Sequence, residues 1–226
     1  MTKLVGYAEH GPHDGIGPFR TMFNGGIRLL YEKDLSNVDA VLLWGGSDIS
    51  PSLYDEPAFA HSGPSTPTER DLFEWELCRQ AVERNIPIIG ICRGAQLLCA
   101  FAGGKLIQNV QGHHGDHGIT CHTGEVFNVS SSHHQMLYPY DVPHEMLAWS
   151  SKKRSMVYQG VSKEIFKNMN TPSFEEPEVV YFPEINGFGI QCHPEWHHNV
   201  HSDAGGVAFN KWVFEEINER CFNKVC

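Results

Sequence analysis

Short apolar runs alternate along the chain with longer stretches in which apolar positions recur every three or four residues. The runs are Val41-Leu42-Leu43-Trp44, Ile88-Ile89-Gly90-Ile91, Val126-Phe127-Asn128-Val129, Val179-Val180-Tyr181-Phe182 and Phe188-Gly189-Ile190-Gln191. Runs of this length with almost no polar interruption read as buried strands. Between Thr68 and about Asn85, Phe73, Leu77 and Ala81 recur at every fourth position beside Cys78 and Val82, while Glu69, Glu76 and Glu83 lie elsewhere. That spacing predicts an amphipathic helix with one face on a sheet, capped by Thr68 and closed before Pro87. A second helix is expected from Gly94 to Ala102, ending at Gly103-Gly104, and a third from about Gly206 to Arg220. Alternating strands and helices predict an α/β chain, a three-layer α/β/α sandwich on a mostly parallel central sheet. Residues 62–68 hold two prolines and a glycine and read as a loop, and the polar stretch 162–177 reads as an excursion or lid.

A length of 226 residues suits one domain spanning 1–226. Lysine and arginine total 17 against 27 acidic residues, a net charge of −10 that argues against nucleic acid and anionic membranes as partners. The seven cysteines, at 78, 92, 99, 121, 192, 221 and 226, form no CxxC pair, so neither a zinc ribbon nor a thioredoxin-type site is indicated. The opening MTKLVGYAEHGPHDG has no apolar stretch of signal-peptide length, and no run is long enough for a membrane helix. The expectation is a cytoplasmic protein with reduced thiols.

Candidate chemistry centres on Ile88-Ile89-Gly90-Ile91-Cys92-Arg93-Gly94-Ala95-Gln96-Leu97, a strand passing through G-x-C-x-G straight into a helix. Glycines two before and two after the central residue permit a sharp turn that lifts one side chain clear of the sheet. The thiol then lies at a helix N-terminus, which favours thiolate, with the Arg93 N–H facing a developing oxyanion. Alone, the pattern fits a small buried cysteine equally well. A thiol nucleophile needs a base, and the base needs a group to orient it. Gly189-Ile190-Gln191-Cys192-His193-Pro194-Glu195 places one histidine directly after an apolar strand with a carboxylate two residues on. His193 can then face Cys92 while Glu195 holds its other ring nitrogen. His197, His198 and His201 read as solvated or core residues.

These motifs resemble the class I glutamine amidotransferase superfamily, and more closely its γ-glutamyl-γ-aminobutyrate hydrolase-like peptidases. The resemblance rests on GGSDISPSLY (45–54), RDLFEWEL (70–77), IPIIGICRGAQLL (86–98), GGKL (103–106), SSHHQ (131–135) and GIQCHPEW (189–196), in that order. It implies a flavodoxin-like sandwich and a Cys-His-Glu triad of Cys92, His193 and Glu195. It implies oxyanion donors at the backbone N–H groups of Gly46 and Arg93. It also implies that Gln96, His133, His134 and Gln135 hold the two ends of a glutamyl group. Cys192 stands where the family usually has an aromatic residue, and Ala95 and Cys99 are smaller than usual there. The region 162–178 matches no family motif, and with 10–25 and 47–66 it is expected to shape the leaving-group pocket.

His113, His114, His117 and His122, with Asp116 and Cys121, raise the question of a metal. Their spacing matches no zinc pattern, so the expectation is a cleft-lining or solvated loop and no metal or cofactor. The implied activity is hydrolysis of a γ-glutamyl amide through a thioester. Arg93 favours a lone hydrolase over an ammonia-channelling subunit, since the resembled hydrolases carry CRG where channelling enzymes carry CLG. A glutaminase subunit working with a synthetase, and an inactive binding domain, are the alternatives. A homodimer is compatible with all three.

Overall fold

The computed structural model describes residues 5–8, 27–30, 34–60, 62–169, 171–199 and 203–223. In chain order the strands are β1 (Val5–Ala8), β2 (Ile27–Leu30), β3 (Ala40–Leu43), β4 (Ile88–Ile91), β5 (Lys105–Ile107), β6 (Asn109–Val110), β7 (His117–Cys121), β8 (Val126–Val129), β9 (Met136–Tyr138), β10 (Glu145–Ser150), β11 (Tyr158–Gln159), β12 (Pro177–Phe182) and β13 (Gly187–Ile190). The α-helices are α1 (Glu69–Glu83), α2 (Arg93–Phe101), α3 (Lys163–Met169) and α4 (Asp203–Ile217). Residues 10–25 of the expected pocket, His201, Cys226 and the side chains of His197 and His198 lie outside the described residues.

The main sheet runs β2-β1-β3-β4-β13-β12-β10-β7-β8. Its first five strands are parallel, and each neighbour beyond β13 is antiparallel. Only β12 and β7 therefore oppose the common direction. Successive residues of the central strands alternate between two apolar layers, which is why their runs carry almost no polar residue. Leu42, Ile89, Ile91 and Ile190 share one cluster with Phe209, Trp212, Val213 and Ile217 of α4. Val41, Leu43 and Ile88 share the other with Leu77 and Ala81 of α1 and Ala95 and Leu98 of α2. The three-layer arrangement stands as expected.

Helix α1 differs from its sequence reading in one respect. Thr68 caps it as expected: its Oγ1 accepts from the Asp71 N–H at 3.1 Å, and the Asp71 carboxylate accepts from the Thr68 N–H at 2.9 Å. The buried stripe, however, is Asp71, Glu74, Leu77, Cys78 and Ala81, with Phe73 and Val82 only partly covered. Two carboxylates occupy the inward face because cationic side chains meet them there, as the site below shows.

The segment 162–177 is not a polar lid. It contains α3, whose Ile165 and Met169 are buried with Ile107, Val110, Met136, Tyr138 and Tyr158 in a third apolar cluster. Two small antiparallel ladders, β5–β9 and β6–β11, supply that cluster. Sequence periodicity could not show this, since strands of two or three residues carry too few positions to establish a period.

Candidate active site

Cys92 leaves β4 and caps α2 with φ 50° and ψ −105°, a backbone conformation that side-chain-bearing residues rarely adopt. The flanking glycines leave no alternative. A Cβ on Gly94 would come within 2.3 Å of the Leu43 carbonyl oxygen, and one on Gly90 within 2.4 Å of the Gly94 carbonyl carbon. Strand β4 and the start of α2 thus press together so closely that only glycine fits on either side of the thiol. The Cys92 N–H donates to the Ile190 carbonyl at 2.7 Å, tying the elbow to β13.

That strand delivers the histidine. β13 pairs with β4 in parallel, Ile190 opposite Ile91, and His193 follows three residues later. Its Nδ1 bonds a Glu195 carboxylate oxygen at 2.7 Å, and Cys92 is the other side chain that acts on its ring. The Trp196 indole stacks on the imidazole at 3.7 Å and 5° between planes, and the His193 N–H donates to the Ser130 carbonyl at 2.9 Å. His193 and Glu195 are both buried. Burial works against a charged imidazole, but the bonds to Cys92 and Glu195 outweigh it and raise its pKa to about 10. Cys192 lies in the apolar layer beneath, where burial pushes its thiol up.

Gly46 has φ +144°, and a Cβ there would fall 2.4 Å from Arg70 Nη1. Arg70 donates from Nη2 to the carbonyls of Trp44 (2.9 Å) and Gly45 (3.1 Å) and from Nε to Glu74 at 2.9 Å. The Arg93 side chain turns away from the thiol and is buried in ion pairs with Asp71 and Glu74. The loop at 44–45 and the first turn of α2 are thereby fixed to the same carboxylate of α1, that of Glu74. The loop also touches both partners of the elbow. A Cβ on Gly45 would sit 3.2 Å from His193 Cε1 and 3.5 Å from Cys92 Cβ.

The peptidase C26 family matches residues 28–195, which include the elbow, the histidine and the acidic face of α1. The chain belongs to the peptidase C26 family. Protein NtpR of Enterococcus hirae is 30% identical over 184 residues, 76% of this chain and 73% of that protein. The gamma-glutamyl-gamma-aminobutyrate hydrolase of Escherichia coli O157:H7 is 41% identical over 78 residues, 34% of this chain and 30% of that protein. The chain spans about a third of the length of several curated relatives it matches. Among solved structures, PurLQS from Thermotoga maritima superposes with a TM-score of 0.61 at 17% identity, covering 97% of this chain and 99% of that one. The fold is that of the glutamine amidotransferases. No helix among the described residues is long and apolar enough to cross a membrane. Cys78, Cys92, Cys99, Cys121 and Cys192 are buried free thiols.

In this peptidase C26 chain the remaining expected residues divide into two groups. Gln96 is buried and donates to the Gln135 carbonyl oxygen at 3.1 Å, and the Gln135 carboxamide is buried without a partner among the described residues. His134 is the one at the surface, bonded to Asp48 at 2.8 Å. His133 turns inward instead. Its Nδ1 lies 2.7 Å from the Gln135 carbonyl and its ring 4.7 Å from that of His113. Burial lowers the His133 pKa to about 3, so its ring is neutral.

The histidine-rich stretch corrects the sequence reading in part. His114 and Asp116 are exposed, and His122 is partly exposed beside Glu216 at 3.0 Å, as expected of a polar loop. His113 and His117 are instead buried with Glu176 and Glu178, at 3.3 Å and 3.4 Å from His113 and 2.7 Å from His117 to Glu178. Sequence reading missed both glutamates. The available signal was Glu178 within the otherwise apolar run of β12, a charge that a buried strand does not keep without a partner.

Proposed function

We propose that this chain is a cysteine-dependent hydrolase of γ-glutamyl amide bonds, in glutamine or a γ-glutamyl amine, and that Cys92, His193 and Glu195 are its triad. The observation that carries this reading is Cys92 at a strained elbow, packed against the same Gly45 as a histidine whose Nδ1 lies 2.7 Å from a carboxylate. A protonated His193 leaves the sulfur of Cys92 as the nucleophile, which attacks the γ-carbonyl carbon. The carbonyl oxygen becomes an oxyanion beside the backbone N–H groups of Gly46 and Arg93, each such donor contributing about 10²–10³ in rate. The intermediate collapses as the C–N bond breaks and His193 gives its proton to the departing amine. Water, deprotonated by His193, then attacks the γ-glutamyl thioester, releasing glutamate and restoring the thiol. Gln96, His134 and Gln135 are assigned to the amino-acid end of the substrate. His133 supports their loop from behind, through its bond to the Gln135 carbonyl.

Glutamate release by the purified protein alone tests this, with glutamine and a panel of γ-glutamyl amines as substrates and Cys92→Ala as control. Turnover of at least one amide, abolished in the variant, is the expected result. Folded protein that releases no glutamate unless a synthetase is added would instead identify an ammonia-delivering subunit.

A further inference from the structure

Behind the 131–135 segment lies a group of buried donor atoms that the proposed chemistry does not use. We propose that His113, His133 and Glu178 bind one divalent transition-metal cation of the zinc class, a site separate from Cys92 and independent of the hydrolase reading. Donor atoms of these three residues all lie within 4.8 Å of one another, and all three residues are buried. Several of these atoms lack a hydrogen-bond partner: Nε2 of His133, both ring nitrogens of His113 and one oxygen of Glu178. The two carboxylates nearest His113 stand at 3.3 Å and 3.4 Å, beyond the usual hydrogen-bond range. Buried polar atoms left in this state call for an ion or a water.

What distinguishes this group from a chance cluster is that each donor is already aimed from outside. His133 gives its Nδ1 proton to the Gln135 carbonyl at 2.7 Å, which turns a bare Nε2 inward. His117 bonds one oxygen of Glu178 at 2.7 Å and leaves the other unpartnered. Glu176 faces His113 Nε2 and is itself held by the N–H groups of Arg154 and Ser155 and the hydroxyl of Tyr158. Outer partners of this kind, hydrogen-bonded on His133 and Glu178 and within ion-pair reach on His113, orient metal-binding imidazoles and carboxylates. Two imidazoles and one carboxylate suit zinc, with a water in the fourth position, and ligation draws such donors to roughly 3.3 Å apart. The ligands come from the loop after β6, the loop before β9 and strand β12, so the ion would fasten the substrate-side loop to the main sheet.

The test uses Cys92→Ala protein, so that the reactive thiol is not a ligand, stripped with a chelator and titrated with Zn²⁺ or Co²⁺ alone. Calorimetry is expected to show one equivalent of Zn²⁺, weakened at least 100-fold by Glu178→Gln or His133→Asn and unchanged by His114→Ala or His122→Ala. Binding abolished by the surface variants and kept by the buried ones would mean an adventitious ion only and would overturn the proposal. Should the buried variants fail to fold, the Co²⁺ spectrum of the Cys92→Ala protein decides. Intense visible bands of a four-coordinate site uphold the proposal, and the weak spectrum of the hydrated ion overturns it.

Discussion

Arg70 and Arg93 share one carboxylate: Glu74 accepts from Arg70 on one oxygen and from Arg93 on the other. The first arginine holds the carbonyls of Trp44 and Gly45, and the second opens α2 directly after Cys92. One buried anion of α1 therefore sets the spacing between the two backbone segments assigned to the oxyanion. Asp71 completes a set of two cations and two anions. Removing one member leaves a buried charge without a counterion, at a cost of about 3–5 kcal/mol. Glu74→Gln is expected to lower unfolding stability by that amount in urea and to reduce glutamate release at 25 °C. A variant as stable as the parent would mean that solvent compensates these arginines, although Arg93 is buried and Arg70 only partly exposed.

The backbone at Cys92 makes a second expectation. Its positive φ costs of the order of 1–3 kcal/mol in a residue with a Cβ, and glycine adopts it without strain. Two substitutions that both remove the thiol should therefore differ. Cys92→Gly is expected to unfold at higher urea than Cys92→Ala by about 1 kcal/mol, reversing the order usual at a helix start. Equal stabilities would show that the turn is not strained.

The His193–Glu195 bond couples activity and stability to pH. Replacing the orienting carboxylate by Glu195→Gln is expected to cut kcat about 10²–10⁴-fold with little change in KM, because the imidazole loses its tautomer and its counter-charge. The His193 pKa, followed by NMR of its ring protons, is expected near 10 in the parent and lower in Glu195→Gln. A pKa raised by folding stabilises the native state fully below the unfolded value of about 6.5, and that contribution is lost as pH rises through the folded value. The stability advantage of the parent over Glu195→Gln should accordingly be largest just below about pH 6.5 and shrink steadily as pH rises towards 10. A gap that widens instead would mean that the carboxylate holds a neutral imidazole.

Much of this was legible in the chain, for reasons of locality. The elbow is written in consecutive residues, because Gly90 and Gly94 each answer a clash within a few ångströms of Cys92. His193 and Glu195 are two residues apart, so their bond needed only one turn. The central strands announced themselves because both faces are apolar. Other features depend on residues far apart in sequence. The inward face of α1 could not be told from spacing alone, because Asp71 and Glu74 look like solvated residues until Arg93 is placed beside them. The buried donor group draws its three members from positions 113, 133 and 178, on three separate segments. Its histidines stand out in the sequence, but the carboxylate that gathers them lies in a distant strand.

The parallel pairing of β4 with β13 acts as a ruler for the reacting atoms. Ile91 faces Ile190 across that ladder, and the nucleophile and its base each leave the sheet from the end of one of these strands. A slip of one residue would turn every side chain of the moved strand to the opposite layer and carry His193 out of reach of the sulfur. The apolar layers on both sides of the sheet, distant from any substrate, therefore do the gauging: whatever keeps Ile91 and Ile190 in step keeps the chemistry in range.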